Sequence, residues 1–446
     1  MVNSLQAQQQ QQPAESIEVL SALPSARSNV AIASLDDTIF IHGGEFFNGA
    51  RFESFDDLFS YNTARNEWKV IKSSTKPTPR SGHQMISTAS NGGELWLFGG
   101  EFASPSGLQY YHFRDLWRYS IVRKSWECIK APNGPSARSG HRMMLHKKRI
   151  ILFGGFHDNN QSFLYHNDVW LFSLESYAWT KVDTDGIAPT ARSGVGMGLA
   201  GDDKIVIFGG YTKSSAKAAG SERGLTHGDA FILQETSTKW RWNSTKIGGR
   251  RPTPRSGVSC CNALNGKIYI FGGVMDTEED DENLRGLFSN EIHLLDVQGG
   301  SMTWRKVDIK RKKEETVTEE VPVAAKNVKS TSGGIFTVTV AGPKQEVTSS
   351  TSQLDVGGPS PRMNAAIAMV RHNLWIFGGS YEQGSRQYTL CDFYSLDINK
   401  CDSWKTHIGN LPSLQWLGSD SENSSESDDS EESDSDEESS DEEMET

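Results

Sequence analysis

Short apolar runs recur along the chain at intervals of about fifty residues, and each closes on a pair of glycines. They read IFIHGG (39–44), LWLFGG (95–100), IILFGG (150–155), IVIFGG (205–210), IYIFGG (268–273) and LWIFGG (374–379). An apolar run this short predicts a strand buried on both faces. The glycines suit a sharp turn with close backbone packing. An arginine stands 16 to 19 residues before each first glycine, at Arg27, Arg80, Arg138, Arg192, Arg255 and Arg362. After it come small residues among apolar ones, as in SGHQMIST (81–88), which suits a crowded inner strand.

Beyond each glycine pair the period changes to polar–aromatic alternation, the mark of a half-exposed strand. The segments start at Asp57, Asp115, Asp168, Asp229 and Asp392, with Glu291 in the fifth copy. A tryptophan then opens a fourth strand: Trp68, Trp126, Trp179, Trp240, Trp304 or Trp404. A four-strand unit repeated at this period predicts an all-β, six-bladed propeller over residues 16–408, with blades starting near 27, 80, 138, 192, 255 and 362. Closure has two candidates: SIEVL (16–20) sits where an outer strand of the last blade could come from, yet Trp404 offers that blade its own.

The glycine pair, the Asp-x-aromatic segment and the tryptophan resemble the Kelch repeat, over roughly residues 27–408. Finer features, among them GGEFFNG (43–49), GGEFASPSG (99–107), ILFGGFHDNN (151–160), PTPRSG (252–257) and an acidic loop near 278–282, resemble the Kelch domain-containing protein 4 group within that family. That group begins with a basic, Lys-rich head, whereas this chain starts MVNSLQAQQQQQ, and residues 1–15 are expected to be a disordered, Gln-rich segment.

Charge is concentrated at one end. Residues 419–446 hold 15 acidic and no basic residues, so the net charge of −12 belongs to this tail and the rest of the chain carries +3. Such a Ser-rich acidic run cannot bury enough apolar surface to fold. It suits either solubilisation or docking of basic proteins such as histones or ribosomal proteins. Ser419, Ser425, Ser433, Ser435, Ser439 and Ser440 each have an acid three residues on, the spacing a casein kinase 2-type enzyme favours for phosphorylation. A second low-complexity segment, 309–357, lengthens the stretch from Trp304 to Arg362 to 58 residues. It is expected to be a disordered insert between blades five and six.

In an up-and-down blade the arginines, the loops after the glycine pairs, the insert and the tail all emerge on one face. Its loops are rich in aromatics, and arginine beside aromatics is the composition of binding hot spots. The candidate partner-binding residues are therefore Arg80, Arg138, Arg192, Arg255, Arg362, Phe47, Phe102, Tyr111, His157, Tyr165 and Arg386. Arginine captures carboxylates through two parallel hydrogen bonds. The Kelch resemblance likewise implies acidic peptides or C-terminal carboxylates at these arginine positions. A residue repeated in every blade is also the natural structural element, bonding carbonyls or a neighbouring Asp. Glu45, Glu101, His157, His166 and Arg386 break the repeat and so discriminate better.

No catalytic constellation stands out. The copper site of galactose-oxidase-like enzymes has no match, none of the 11 His has an Asp four residues earlier, and no phosphate-binding or dinucleotide Gly loop is seen. No metal or cofactor is expected. The five Cys show no CxxC spacing and read as reduced thiols of an intracellular, cytoplasmic or nuclear protein. The expected function is a non-enzymatic protein-interaction module taking a protein or peptide ligand on the Arg/aromatic face, with no membrane and no nucleic acid partner. The tail would dock basic proteins or regulate access. The alternative is a substrate-recognition subunit of a ubiquitin ligase, for which the 26 residues before Arg27 leave too little room for a BTB domain.

Overall fold

A computed structural model describes residues 17–19, 23–158, 163–201, 203–215, 222–237, 239–243, 247–263, 266–280, 283–298, 301–310, 357–384, 386–409 and 417. The Gln-rich start, nearly all of the 309–357 insert and the acidic tail lie outside the described residues.

Six sheets are arranged as the blades of a propeller, each with four antiparallel strands in chain order from the axis outward; blades four and five add a short parallel edge strand, Thr184–Asp185 and Gly248–Gly249. Blade two shows the plan: Gln84–Thr88 is innermost, then Glu94–Phe98, Leu116–Ser120 and Ser125–Ile129. The second strand of every blade is the apolar run of the sequence, and Glu94–Phe98 is buried at all five positions. Period-two geometry explains why both faces must be apolar. In blade one, Ile39 and Ile41 pack toward blade six while Phe40 packs toward blade two. Six hydrophobic clusters result, one for each blade–blade interface. Trp68, Trp126, Trp179, Trp240 and Trp304 are buried in them, each contributing about 1.5–3 kcal/mol of transfer free energy or more.

Each blade is completed by its own outer strand, Trp404–Ile408 in blade six. Ile17–Val19 does not serve the last blade: it pairs antiparallel with Glu67–Ile71 as a fifth, outermost strand of blade one. The ring closes without strand exchange. Gly379 N–H donates to the Arg27 carbonyl at 3.1 Å, and Arg27 N–H donates to the Leu390 carbonyl at 3.0 Å. The same two bonds join blades one and two, where Gly44 N–H donates to Arg80 O and Arg80 N–H to Phe55 O. The sixth interface therefore repeats the backbone contacts of the others. Among the described residues no helix is long and apolar enough to cross a membrane.

Candidate functional site

Among the described residues, the segments after the glycine pairs hold strands. Each forms a two-stranded ribbon standing on one face of the disc: Glu45–Phe47 with Phe52–Ser54, Glu101–Ala103 with Tyr110–His112, Phe156–Asp158 with Phe163–Tyr165, Tyr211–Ser215 with Glu222–Thr226, Val274–Asp280 with Asn283–Phe288, and Ser380–Gln383 with Arg386–Thr389. The ribbons touch around the ring. Phe52 N–H donates to Pro105 O, Asp158 N–H to His112 Nε2 at 3.0 Å, and Thr226 Oγ1 to Asp276 at 2.9 Å. Tyr165 meets Tyr211 edge-on at 6.4 Å, and the Lys213 ammonium lies 4.4 Å over the Phe163 ring. An isolated two-stranded hairpin is marginal in water; here each is held by its neighbours.

The six repeated arginines do not reach this surface. They are 0–3 % exposed, and each guanidinium bonds within its own blade; Arg27 holds Ser25 and Gly43 O, with Asp57 at 3.8 Å. Arg138 shows the scheme. Nε donates to Ser136 O and Nη2 to Ser136 Oγ; Nη1 donates to Gly154 O at 3.0 Å, and the fork closes on Asp168 at 2.6 and 3.1 Å. Arg80 repeats it on Thr78, Gly99 and Asp115, Arg192 on Thr190, Gly209 and Asp229, and Arg362 on Ser360, Gly378 and Asp392. Arg255 departs slightly, using Ser289 Oγ and a longer contact to Glu291 at 3.3 Å. The expectation that Arg80, Arg138, Arg192, Arg255 and Arg362 hold a partner's carboxylate is therefore corrected: the strand-three acid already occupies the fork. These arginines tie the glycine turn, the inner strand and the third strand into one unit.

The remaining candidates lie on the ribbons. Phe47 stacks on Phe52 at 4.3 Å in ribbon one, and Phe102 pairs with the exposed Tyr111 at 6.4 Å in ribbon two. Tyr165 stacks on Phe156 at 5.8 Å in ribbon three, and burial raises its phenol to about 12. His157 bonds Ala137 O at 3.1 Å and faces the His112 ring at 4.7 Å. Arg386 is exposed on ribbon six. Tyr111, Phe163, Leu164, Leu225 and Leu287 are 41–57 % exposed, so the ribbons of blades two to five carry a broken apolar crown.

The residue after each glycine pair stands nearest the axis: Glu45, Glu101, Phe156, Tyr211, Val274 and Ser380. This ring is acidic on one side and mostly apolar on the other. Glu45 accepts from Asn29 Nδ2 and Ser81 Oγ, both at 2.7 Å. Glu101 accepts from Ser139 Oγ at 3.1 Å and lies 3.5 Å from His112 Nε2. Burial depresses that imidazole to about 4, so it brings no charge at neutral pH. Burial, then Glu45, pushes the Glu101 carboxyl up to about 8; burial also raises Glu45. Among the described residues neither carboxylate pairs with a lysine or arginine. Both stood out in the sequence as breaks in the repeat, but only the fold reveals that they share the mouth. Among the described residues no group of three His, Cys, Asp or Glu is placed to hold a metal ion.

Comparison with known proteins agrees with the architecture. The model for the Attractin/LZTR1 beta-propeller matches residues 39–218, and that for the KLHDC2/KLHL20/DRC7 Kelch-repeats domain matches residues 153–334. Together with the six blades, these matches support a Kelch-repeat β-propeller. Adagio-like protein 3 of Oryza sativa subsp. japonica is 29% identical over 64% of this chain and 42% of its own length. Host cell factor of Drosophila melanogaster is 26% identical over 62% of this chain and 18% of its own length. The chain thus spans less than half the length of these relatives. The solved structure of YjhT aligns with a TM-score of 0.53 at 17% identity, covering 87% of this chain and 99% of the other, a likeness of fold alone.

Proposed function

We propose that the chain is a non-enzymatic protein-interaction propeller whose ribbon face receives a partner segment combining apolar side chains with a lysine or arginine. The observation that carries this reading is the exposed apolar crown of ribbons two to five beside a mouth whose two carboxylates lack a cationic partner. Buried carboxylates with raised proton affinity mark functional clefts. A cation docked between them would restore both to the charged form through charge-assisted hydrogen bonds, while aromatic and aliphatic side chains supply the desolvated contact. The likeness to the Kelch domain-containing protein 4 group belongs to this reading and rests on the motifs between 43 and 282.

The acidic tail is proposed as a second, separable element that docks basic proteins or regulates access to the face. Leu417, two residues before that segment, donates its N–H to Asn48 O of ribbon one at 2.7 Å, which supports a tail leaving from the rim of the ribbon face.

The test is selection of displayed peptides on the full chain, followed by affinity measurement with variants. Enriched peptides should carry Lys or Arg beside an aromatic or aliphatic residue. They should lose at least about tenfold in affinity for Glu45→Gln/Glu101→Gln and for Leu164→Ser/Leu225→Ser, a loss of about 1.4 kcal/mol or more. Truncation at 418 separates the tail, because partners held by it are lost on truncation and at high salt. Peptides that bind all ribbon variants equally would refute the ribbon-face reading.

A further inference from the structure

Arg142 is a cation without a carboxylate. It opens the innermost strand of blade three, Arg142–His146, and lines the cavity on the propeller axis. Its guanidinium reaches past blade four to the Val258 carbonyl of blade five at 3.2 Å and also donates to His141 O at 3.2 Å. These bonds use two of the guanidinium's five N–H donors. Among the described residues no Asp or Glu forms an ion pair with it. The one acidic group acting on it is the Cys260 thiol, which burial pushes up to about 12 and which is therefore neutral. Burial lowers Arg142 itself only to about 10, so it remains charged at neutral pH.

The cavity measures about 490 Å³ and shares Gln84, Met144, Ser259 and Cys260 with Arg142. It extends from Asn29 and Gly82 at the ribbon end to Gly201 and Gly266 at the opposite end. That volume holds a small molecule with some water. A half-buried positive charge without a counter-ion is costly, and a guanidinium with spare N–H groups matches two oxygens of one anion. We propose that the axial cavity binds a small oxyanion (phosphate, sulfate or a carboxylate) on the Arg142 guanidinium. This site is separate from the ribbon face and of opposite charge.

The full chain is titrated with inorganic phosphate, sulfate and acetate at constant ionic strength, balanced with sodium chloride, and followed by calorimetry and thermal unfolding. One oxyanion should bind saturably with one-to-one stoichiometry and raise the Tm; which of the three binds distinguishes phosphate and sulfate from carboxylate. Arg142→Gln should weaken binding at least tenfold, and Arg142→Lys should retain part of it. Binding to Arg142→Gln as tight as to the wild type, or an unsaturable rise in Tm shared by both, overturns the proposal. Should Arg142→Gln fail to fold, crystals of the wild type grown with selenate decide: an anomalous peak beside the guanidinium is expected, and its absence there overturns the proposal. No protein partner enters the experiment, so its failure leaves the ribbon-face reading standing.

Discussion

An arginine–acid pair recurs in all six blades and closes as a two-pronged fork in blades two, three, four and six; their different burial separates the worth of the motif from the worth of its surroundings. In blade six, Arg362 and Asp392 are both 0 % exposed; in blade four, the Asp229 side chain is 47 % exposed. Removing one partner of a fully buried pair leaves an uncompensated charge and costs about 3–5 kcal/mol, whereas an exposed pair is worth about 0–1 kcal/mol. Asp392→Asn should therefore destabilise the fold by about 3–5 kcal/mol and Asp229→Asn by less, because water at the half-exposed Asp229 site screens the charge left on the buried Arg192, as read by urea unfolding. Equal losses would mean that geometry, not burial, sets the value of the fork. Glu101 makes the opposite case. Its carboxyl is raised to about 8 from an ordinary 4.5, so the native state holds a proton that the unfolded chain releases. The stability this gives is complete below pH 4.5 and is lost as pH rises toward 8. Glu101→Gln should thus stabilise the free protein by about 1–3 kcal/mol at pH 8.5 and give little at pH 4.5. A variant that is more stable yet poorer at binding is the signature of a group kept for its partner. The repeated arginines were legible in the sequence as a pattern but not as a role. Whether Arg138 faces a ligand or Asp168 depends on the third strand starting beside the end of the second, next to the Gly154 turn that Arg138 also bonds, and no local spacing encodes that.

At the scale of elements, the second glycine of each pair is where one blade meets the next. Gly155 has φ +96°, and a Cβ there would lie 2.7 Å from Ser139 O and 2.9 Å from His141 Cβ. Both neighbours lie in the segment that enters the inner strand, and Ser139 is held by two backbone hydrogen bonds to Phe156, so neither yields readily. Gly201 also has a left-handed φ, +68°, but nothing lies within 4 Å of its added Cβ. Gly201→Ala should cost only backbone strain, about 1–2 kcal/mol. Gly155→Ala adds overpacking of about 1–3 kcal/mol, and thermal unfolding of the two variants should rank them in that order. The second strands were readable from apolar runs because burial on both faces leaves no polar position. The ribbons were not: FFNGARF and FHDNNQSFLY differ in length and composition, and their pairing depends on contacts between neighbouring ribbons rather than on an internal pattern. The sequence leaves SIEVL (16–20) between closing the last blade and supplying a fifth strand; Ile17–Val19 is a fifth strand, on blade one. An edge strand is chosen by which sheet presents an open edge, here Glu67–Ile71, and distance along the chain carries no information about that.

Blades one to three bury three histidines near the axis, and these set the response of the whole ring to acid. His42 Nδ1 lies 2.9 Å from His83 Nε2, and His141 occupies in blade three the place His83 has in blade two. Among the described residues, His42 Nε2, His83 Nδ1 and both His141 nitrogens are buried without a hydrogen-bond partner. Burial holds His83 at about 3 and holds His42 and His141 well below the ordinary 6.5. Below pH 6.5 the unfolded chain takes up protons that the native ring refuses, so stability falls as pH falls. The slope is about 1.4 kcal/mol per pH unit for each such histidine. Glu45 and Glu101 act in the opposite direction, since the native state retains their protons above pH 4.5, but they offset at most two of the three. His112, His166 and His407, each lowered to about 4, add to the histidine side. The ring is therefore expected to lose at least about 2 kcal/mol between pH 7 and pH 5, measured by urea unfolding at each pH. His83→Asn should reduce that slope by about one proton. An unfolding free energy that stays flat over this range would mean that the histidines find partners or water in solution, and that the blades separate near the axis more readily than their packing implies.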